Sequence, residues 1–247
     1  MTILKNKEDI CKIRECGEVI KEVFSRVKKI IKEGISTSAL DREAENIIRE
    51  NGGEPAFKGY RGYPASICVS INDVVVHGIP SDKVTLARGD IVGIDVGVRK
   101  NGFYTDATRT FSVGKISEKA QRLIEVTKES LDEGIRKAVA GNRISDISNA
   151  IQSVARMSGF QEVRAFVGHG IGIHLHEPPE VPNWGEKGKG PVLKEGLVLA
   201  IEPMINRGTR KVRILPDGWT AVTIDGELSA HFEDTIIVGS KKAEIIT

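Results

Sequence analysis

Cysteine is scarce. Cys11, Cys16 and Cys68 are the only three in 247 residues, an odd set without CxxC spacing. That fits a reducing compartment and argues against a structural zinc site. Charge of one sign is lacking too, since a formal net charge of +2 is too small to argue for nucleic acid or a membrane surface as partner. No apolar run approaches the roughly 20 residues that span a bilayer. The opening MTILKNKEDICKIREC turns polar at its fifth residue, so neither signal nor transit peptide is expected. No Pro/Ser linker or low-complexity stretch divides the chain. The expectation is a cytoplasmic protein with one domain over residues 1–247, whose partners are recognised at a site.

With 40% apolar and 28% charged residues, the chain is long enough to bury a substantial core. Residues 8–32 carry apolar side chains at the three-and-four spacing of an amphipathic helix, with Cys11 and Cys16 reading as packing residues. A second helix, capped by Ser36, Thr37 or Ser38, ends at Gly52-Gly53. Residues 54–80 then turn to a loop and two short strands around Asn72-Asp73. The order recurs: helices over 117–140 and 144–157, then strands near 163–167, 197–205, 212–215, 220–224 and 231–238. GISTSAL at 34–40 echoes GNRISDI at 141–147, and Ala56-Phe57 echoes Ala165-Phe166. Two αα-then-β halves, about 1–115 and 116–247, are expected to face each other about a pseudo-twofold.

Residues 91–111, IVGIDVGVRKNGFYTDATRTF, read as a β-hairpin turning at Lys100-Asn101-Gly102. A loop at Lys100-Asn101 sets Asp95 opposite Asp106, and one at Asn101-Gly102 makes them diagonal neighbours. Either register puts both on one face, about 5 to 7 Å apart, where like charges destabilise a sheet unless a cation or proton intervenes. A three-residue loop would instead send them to opposite faces as ordinary surface aspartates.

In VGHGIGIHLHEPP, His169 stands between glycines where backbone crowding is low, as suits a side chain aimed into a cleft, and His174 and His176 follow in alternation. Glu202 is the one ionisable residue of LVLAIEPMI, and Glu233 repeats the situation in LSAHFEDTIIV, neither run containing Lys or Arg. Such carboxylates must be paired, protonated or metal-bound. Asp95, Asp106, His169, Glu202 and Glu233 together bring about four negative charges and one nitrogen, a set suited to two divalent Mn, Fe, Co or Zn ions.

HGIP at 77–80, IDVG with Asp95, TDATRTF with Asp106, GHGIG with His169, HLHEPP, AIEPM with Glu202 and AHFEDT with Glu233 follow one another in order. Through these motifs the whole chain resembles the bacterial type 1 methionine aminopeptidases, within the pita-bread metallopeptidase family that also holds prolidase and creatinase. The resemblance implies an α+β pita-bread fold whose curved antiparallel sheet encloses a dinuclear metal cleft. It implies Asp106 and Glu233 bridging the metals, Asp95 completing one site, and His169 with Glu202 the other. A metal-bridging water or hydroxide would attack the first peptide bond, with Glu202 as proton shuttle. His77 and His176 fall at non-ligand histidines that contact the scissile amide nitrogen and the carbonyl oxygen. Phe57, Tyr60, Tyr63, Cys68, His77, Leu175 and Trp219 would line the methionine pocket, Phe57 and Leu175 departing from the familiar pattern. Asn72, Val74 and Ser229 match an auxiliary monovalent-cation site.

Removal of initiator methionine from nascent chains with a small second residue is the activity implied, by a monomer working near the ribosomal exit tunnel. The spacing of Glu202 and Glu233 leaves no room for the helical insertion of type 2 enzymes. The early first helix points to neither an N-terminal zinc extension nor the extra domain of prolidase-like peptidases. An X-Pro peptidase on the same fold is the alternative enzyme. A ribosome-associated binding protein is the alternative class, opposed by the presence of all five ligand residues.

Overall fold

The computed structural model describes residues 1–4 and 6–247. Its helices begin where a side chain can satisfy free first-turn amides. Asn6 accepts from the Asp9 N–H at 2.7 Å ahead of α1 (Lys7–Ile30). Ser36 accepts from Ala39 at 3.3 Å ahead of α2 (Thr37–Glu50), and Ser117 from Ala120 at 3.2 Å ahead of α3 (Glu118–Lys137). At α4 (Ile144–Met157) the Asp146 carboxylate reaches back to the Arg143 N–H at 2.8 Å. Among the described residues, no helix is long and apolar enough to cross a membrane.

After α1 and α2 come β1 (Glu54–Pro55), β2 (Ile67–Ile71), β3 (Val74–Val76), β4 (Ile91–Lys100) and β5 (Phe103–Ser112). After α3 and α4 come β6 (Gln161–Glu162), β7 (Gly168–Gly170), β8 (Glu177–Val181), β9 (Val198–Ile201) and β10 (Met204–Asn206). The last five are β11 (Val212–Ile214), β12 (Ala221–Thr223), β13 (Ser229–His231), β14 (Glu233–Ile237) and β15 (Glu244–Ile245). An antiparallel sheet of nine strands runs β1-β4-β5-β14-β9-β7-β8, with β2 beside β4 and β15 beside β14. Two three-stranded sheets, β13-β10-β6 and β11-β12-β3, flank it.

Side-chain alternation gives the large sheet two unlike faces. Val92, Ile94, Val96 and Val98 of β4 and Ala107 of β5 pack under α1 and α2 against Ile20, Val23, Leu40 and Ile47. Leu199, Ile201 and Ile236 do the same under α3 and α4 against Leu131, Ile135, Ile147 and Ile151. Each such valine, leucine or isoleucine, fully buried, contributes about 1.5–3 kcal/mol. The intervening residues, Asp95 and Asp106 among them, face away from the helices.

Several boundaries differ from expectation. Residues 163–167 form the loop between β6 and β7, and strands β1, β8 and β15 have no counterpart among the expected strands. The single strands expected at 197–205 and 231–238 are each broken, at Glu202-Pro203 and at Phe232, because both runs switch there between the nine-stranded sheet and a small one. Pro203 has no N–H to extend a ladder. Cys16 is buried as expected, but Cys11 is exposed.

Candidate active site

The hairpin settles the register of its two aspartates. Lys100 pairs with Phe103, leaving Asn101 (φ 53) and Gly102 (φ 82) as the two positive-φ residues of a type I′ turn. Asp95 therefore lies opposite Thr108, and Asp106 opposite Gly97, the diagonal alternative with both carboxylates on one face.

Following the ladders outward places the remaining acids. Glu233 pairs with Thr108, and because Asp234 pairs with Ile201, Glu202 falls level with Glu233. One row across the sheet thus reads Cys68, Asp95, Thr108, Glu233, Glu202. The next row on the same face reads Gly97, Asp106, Thr235, Ala200, His169. All five expected ligands stand in two neighbouring rows, drawn from both halves of the chain.

The Thr108 hydroxyl donates to Glu233 at 3.0 Å, and Thr235 accepts from the Asp106 N–H at 3.0 Å. The His169 Nδ1 lies 2.9 Å from the Gly170 carbonyl, so Nδ1 carries the proton and Nε2 turns a lone pair to the acids. That Nε2 is 3.6 Å from Asp106 Oδ2 and 3.7 Å from Glu202 Oε1. Donor atoms of Asp106, His169 and Glu233 all fall within 4.8 Å of one another. The glycines beside His169 serve crowding rather than its relief. A Cβ on Gly168 would sit 2.5 Å from the Ala200 carbonyl oxygen, and one on Gly170 2.3 Å from that of Pro178.

Burial pushes all four carboxyls up, and their mutual repulsion adds to it for Asp95, Asp106 and Glu233. Asp95 rises to about 6 and Glu202 to about 8, while Asp106 and Glu233 move well above the usual range. Burial drives His169 and His77 down to about 4. His176 falls to about 3 through burial, then through the charges of His169 and Arg61.

A cavity of ≈ 170 Å³ opens on this face, lined by every expected ligand, by His77 and His176, and by Phe57, Tyr60, Tyr63, Cys68, Leu175 and Trp219. Tyr63 meets Trp219 edge-on at 5.1 Å and gives its hydroxyl to the Ile67 and Gly78 carbonyls. His77 packs edge-on against Phe166 and Trp219, its backbone in the left-handed region at φ 60. Strain of that kind, costing about 1–3 kcal/mol, persists where surroundings over-determine the conformation. His176 accepts or donates at Nδ1 with the Tyr60 hydroxyl, 2.8 Å away. His174 lies outside the cavity and is exposed.

Two lining or neighbouring residues escaped the sequence reading. His231, 3.6 Å from Glu202 Oε2, is buried with its Nε2 making no hydrogen bond among the described residues; its position two before Glu233 was the available signal. Arg61 lines the mouth, and nothing but its place beside Tyr60 marked it. Of the expected monovalent-cation residues, Ser229 donates its N–H to the Asn72 carbonyl at 2.8 Å, and its hydroxyl is buried without a partner among the described residues. Val74 opens β3 and pairs with Val222, and no bond joins it to the other two among the described residues.

Donor chemistry fits divalent cations. The Asp95 Oδ1 is buried with no hydrogen-bond partner among the described residues, and the one cationic side chain described in the lining, Arg61 at the mouth, cannot balance four acids. Comparison with known proteins agrees. Residues 11–240 match the model of metallopeptidase family M24. The methionine aminopeptidase of Clostridium perfringens is 51% identical over 100% of this chain and 99% of its own. That of Escherichia coli is 43% identical over 99% and 93% respectively. The crystal structure of methionine aminopeptidase from Thermotoga maritima superposes with a TM-score of 0.97 at 41% identity, covering 100% of this chain and 99% of that one. The chain belongs to metallopeptidase family M24 and is a metal-dependent aminopeptidase that removes N-terminal methionine.

Proposed function

We propose that residues 1–247 form a single catalytic domain holding two divalent cations, of Co, Mn, Fe or Zn, with Asp106 and Glu233 shared between them. Asp95 would complete one position, and His169 with Glu202 the other. The observation supporting this is the pair of adjacent rows that bring five donors from both halves to one face of the sheet. When bound, such ions acidify a water and polarise the carbonyl of the first peptide bond.

The protein side of the reaction follows from the side chains. Glu202, its side chain 14% exposed and flanked by His169 and His231, is the proton carrier of the cleft. His77 and His176 are neutral near pH 7 and so retain one N–H each to donate. With the Tyr60 phenol donating to Nδ1, His176 presents Nε2–H toward a substrate carbonyl, and His77 serves the scissile amide. Phe57, Tyr60, Tyr63, Cys68, Leu175 and Trp219 make an apolar slot sized for an unbranched thioether side chain.

We infer further that the substrates are nascent chains with a small second residue, processed in the cytoplasm. One chain supplies every proposed ligand, in keeping with a monomer. Proximity to the ribosomal exit tunnel, and a monovalent cation at Asn72, Val74 and Ser229, rest on the family resemblance. The decisive test compares hydrolysis of Met-Ala-Ser and of an Ala-Pro peptide by metal-replete protein. Faster cleavage of Met-Ala-Ser is expected, and preference for the Ala-Pro bond would overturn the methionine pocket.

A further inference from the structure

We propose that Arg61 makes the enzyme sensitive to charge at the third residue of its substrate, favouring an acidic side chain there over a basic one. The inference rests on the reading above, in which the methionine side chain fills the cavity and the first carbonyl lies by His176.

Among the described residues, Arg61 is the one permanently charged cation in the cavity lining. Two divalent ions held by the four acids deeper in would match their charge, which leaves the guanidinium as the fixed charge at the mouth. Among the described residues it forms no ion pair. Lys58, three positions earlier, is held instead by Glu45 at 2.7 Å.

Its position is imposed by the chain. The short 3₁₀ turn Tyr60–Gly62 is closed by the Gly59 N–H bonding to the Tyr63 carbonyl at 2.8 Å and the Tyr63 N–H to that of Tyr60 at 2.9 Å. Arg61 sits in this turn at φ 49, a left-handed conformation uncommon for a non-glycine residue. The guanidinium lies 5.4 Å from the centre of the Tyr60 ring, and that ring stacks on His176 with centroids 5.1 Å apart. Arg61, Tyr60 and His176 thus form a ledge on the exposed side of the cavity, while Tyr63 closes its buried side.

A peptide whose first side chain points into the cavity must leave across this ledge. In extended chain, alternate side chains share a side and each residue advances about 3.3–3.6 Å. The third side chain therefore returns to the side of the first, one pleat farther out, where Arg61 stands. The second faces the opposite way and is insensitive to Arg61.

The test uses metal-replete enzyme and the peptides Met-Ala-Glu-Ser, Met-Ala-Gln-Ser and Met-Ala-Lys-Ser. At low ionic strength kcat/KM is expected to favour glutamate over lysine by about fivefold, mostly through KM, the size typical of exposed charge pairs. The ratio should shrink as salt approaches about 1 M. It should fall toward one in Arg61→Gln and invert in Arg61→Glu, whereas a merely structural role would slow all three peptides alike. A wild-type ratio near one, or a ratio unchanged in Arg61→Glu, overturns the proposal while leaving the methionine pocket standing. Failure of wild type to cleave the glutamine peptide, with an Ala-Pro bond cleaved, overturns both.

Discussion

Glu202 occupies a position that stability alone would not select. Its carboxyl is pushed up to about 8 by burial, and its neighbours within 3.7 Å are two imidazoles that burial keeps neutral. Glu202→Gln keeps the shape and removes the proton acceptor, so kcat should fall about 10²–10⁴-fold. The metal-free variant should melt no lower than wild type at pH 8, since a buried charge without a cationic partner is gone. Near-wild-type turnover in steady-state assays would contradict the role. Tyr60 offers a finer test. Tyr60→Phe keeps the ring that stacks on His176 and deletes the 2.8 Å bond to Nδ1. A loss of about fivefold in kcat is expected, the worth of about 1 kcal/mol, with KM for methionyl peptides little changed. A rise in KM alone would assign Tyr60 to the pocket wall only.

At the scale of elements, what was legible followed from periodicity. The four helices announced themselves by apolar periodicity, α2 also by its Ser36, Thr37 and Ser38 cap candidates, and the β4–β5 hairpin by Asn101-Gly102. Pairing of distant strands was not legible, because the contact of β14 with β5 and β9 depends on closing long loops rather than on local pattern. The five ligands could be named as a set that needed a cation, yet their two-row arrangement needed that pairing. Strand breaks at Glu202-Pro203 and Phe232 were hidden inside continuous apolar runs. So was the role of Glu177, which opens β8. Its buried carboxylate accepts from the Thr2 hydroxyl at 2.8 Å and the His174 N–H at 2.8 Å, and pairs with the Met1 ammonium at 2.9 Å. Burial opposes ionisation there, but these partners win and hold Glu177 below the usual carboxylate range. The anchored segment, residues 172–177, carries Leu175 and His176 into the cavity. Glu177→Gln should cost about 2–3 kcal/mol and lower Tm by about 5–10 °C, with a raised KM. An unchanged melting curve would show that other contacts hold the segment.

Across the whole molecule, the cleft sets local stability against function, and pH separates the two. In metal-free protein the raised carboxyls bind protons in the folded state that the unfolded chain would already have released. Stability from a raised group is full below its unfolded pKa and is lost as pH climbs through the folded one. For Glu202 that window ends near 8, and for Asp95 near 6. The cleft histidines are depressed and act with the opposite sign, their contribution being lost as pH falls from about 6.5 toward 4. Between pH 6.5 and 8 only the carboxyls count, so metal-free protein should lose about 2 kcal/mol there for a group displaced like Glu202. Cation binding replaces those protons, so saturating Mn or Co should raise Tm and flatten its pH dependence over the same interval. Thermal scans of chelator-treated and metal-replete protein at half-unit steps would check it, alongside loss of peptidase activity on metal removal and its return on add-back. Parallel Tm-versus-pH curves for the two forms would mean that the ions sit away from the four carboxylates.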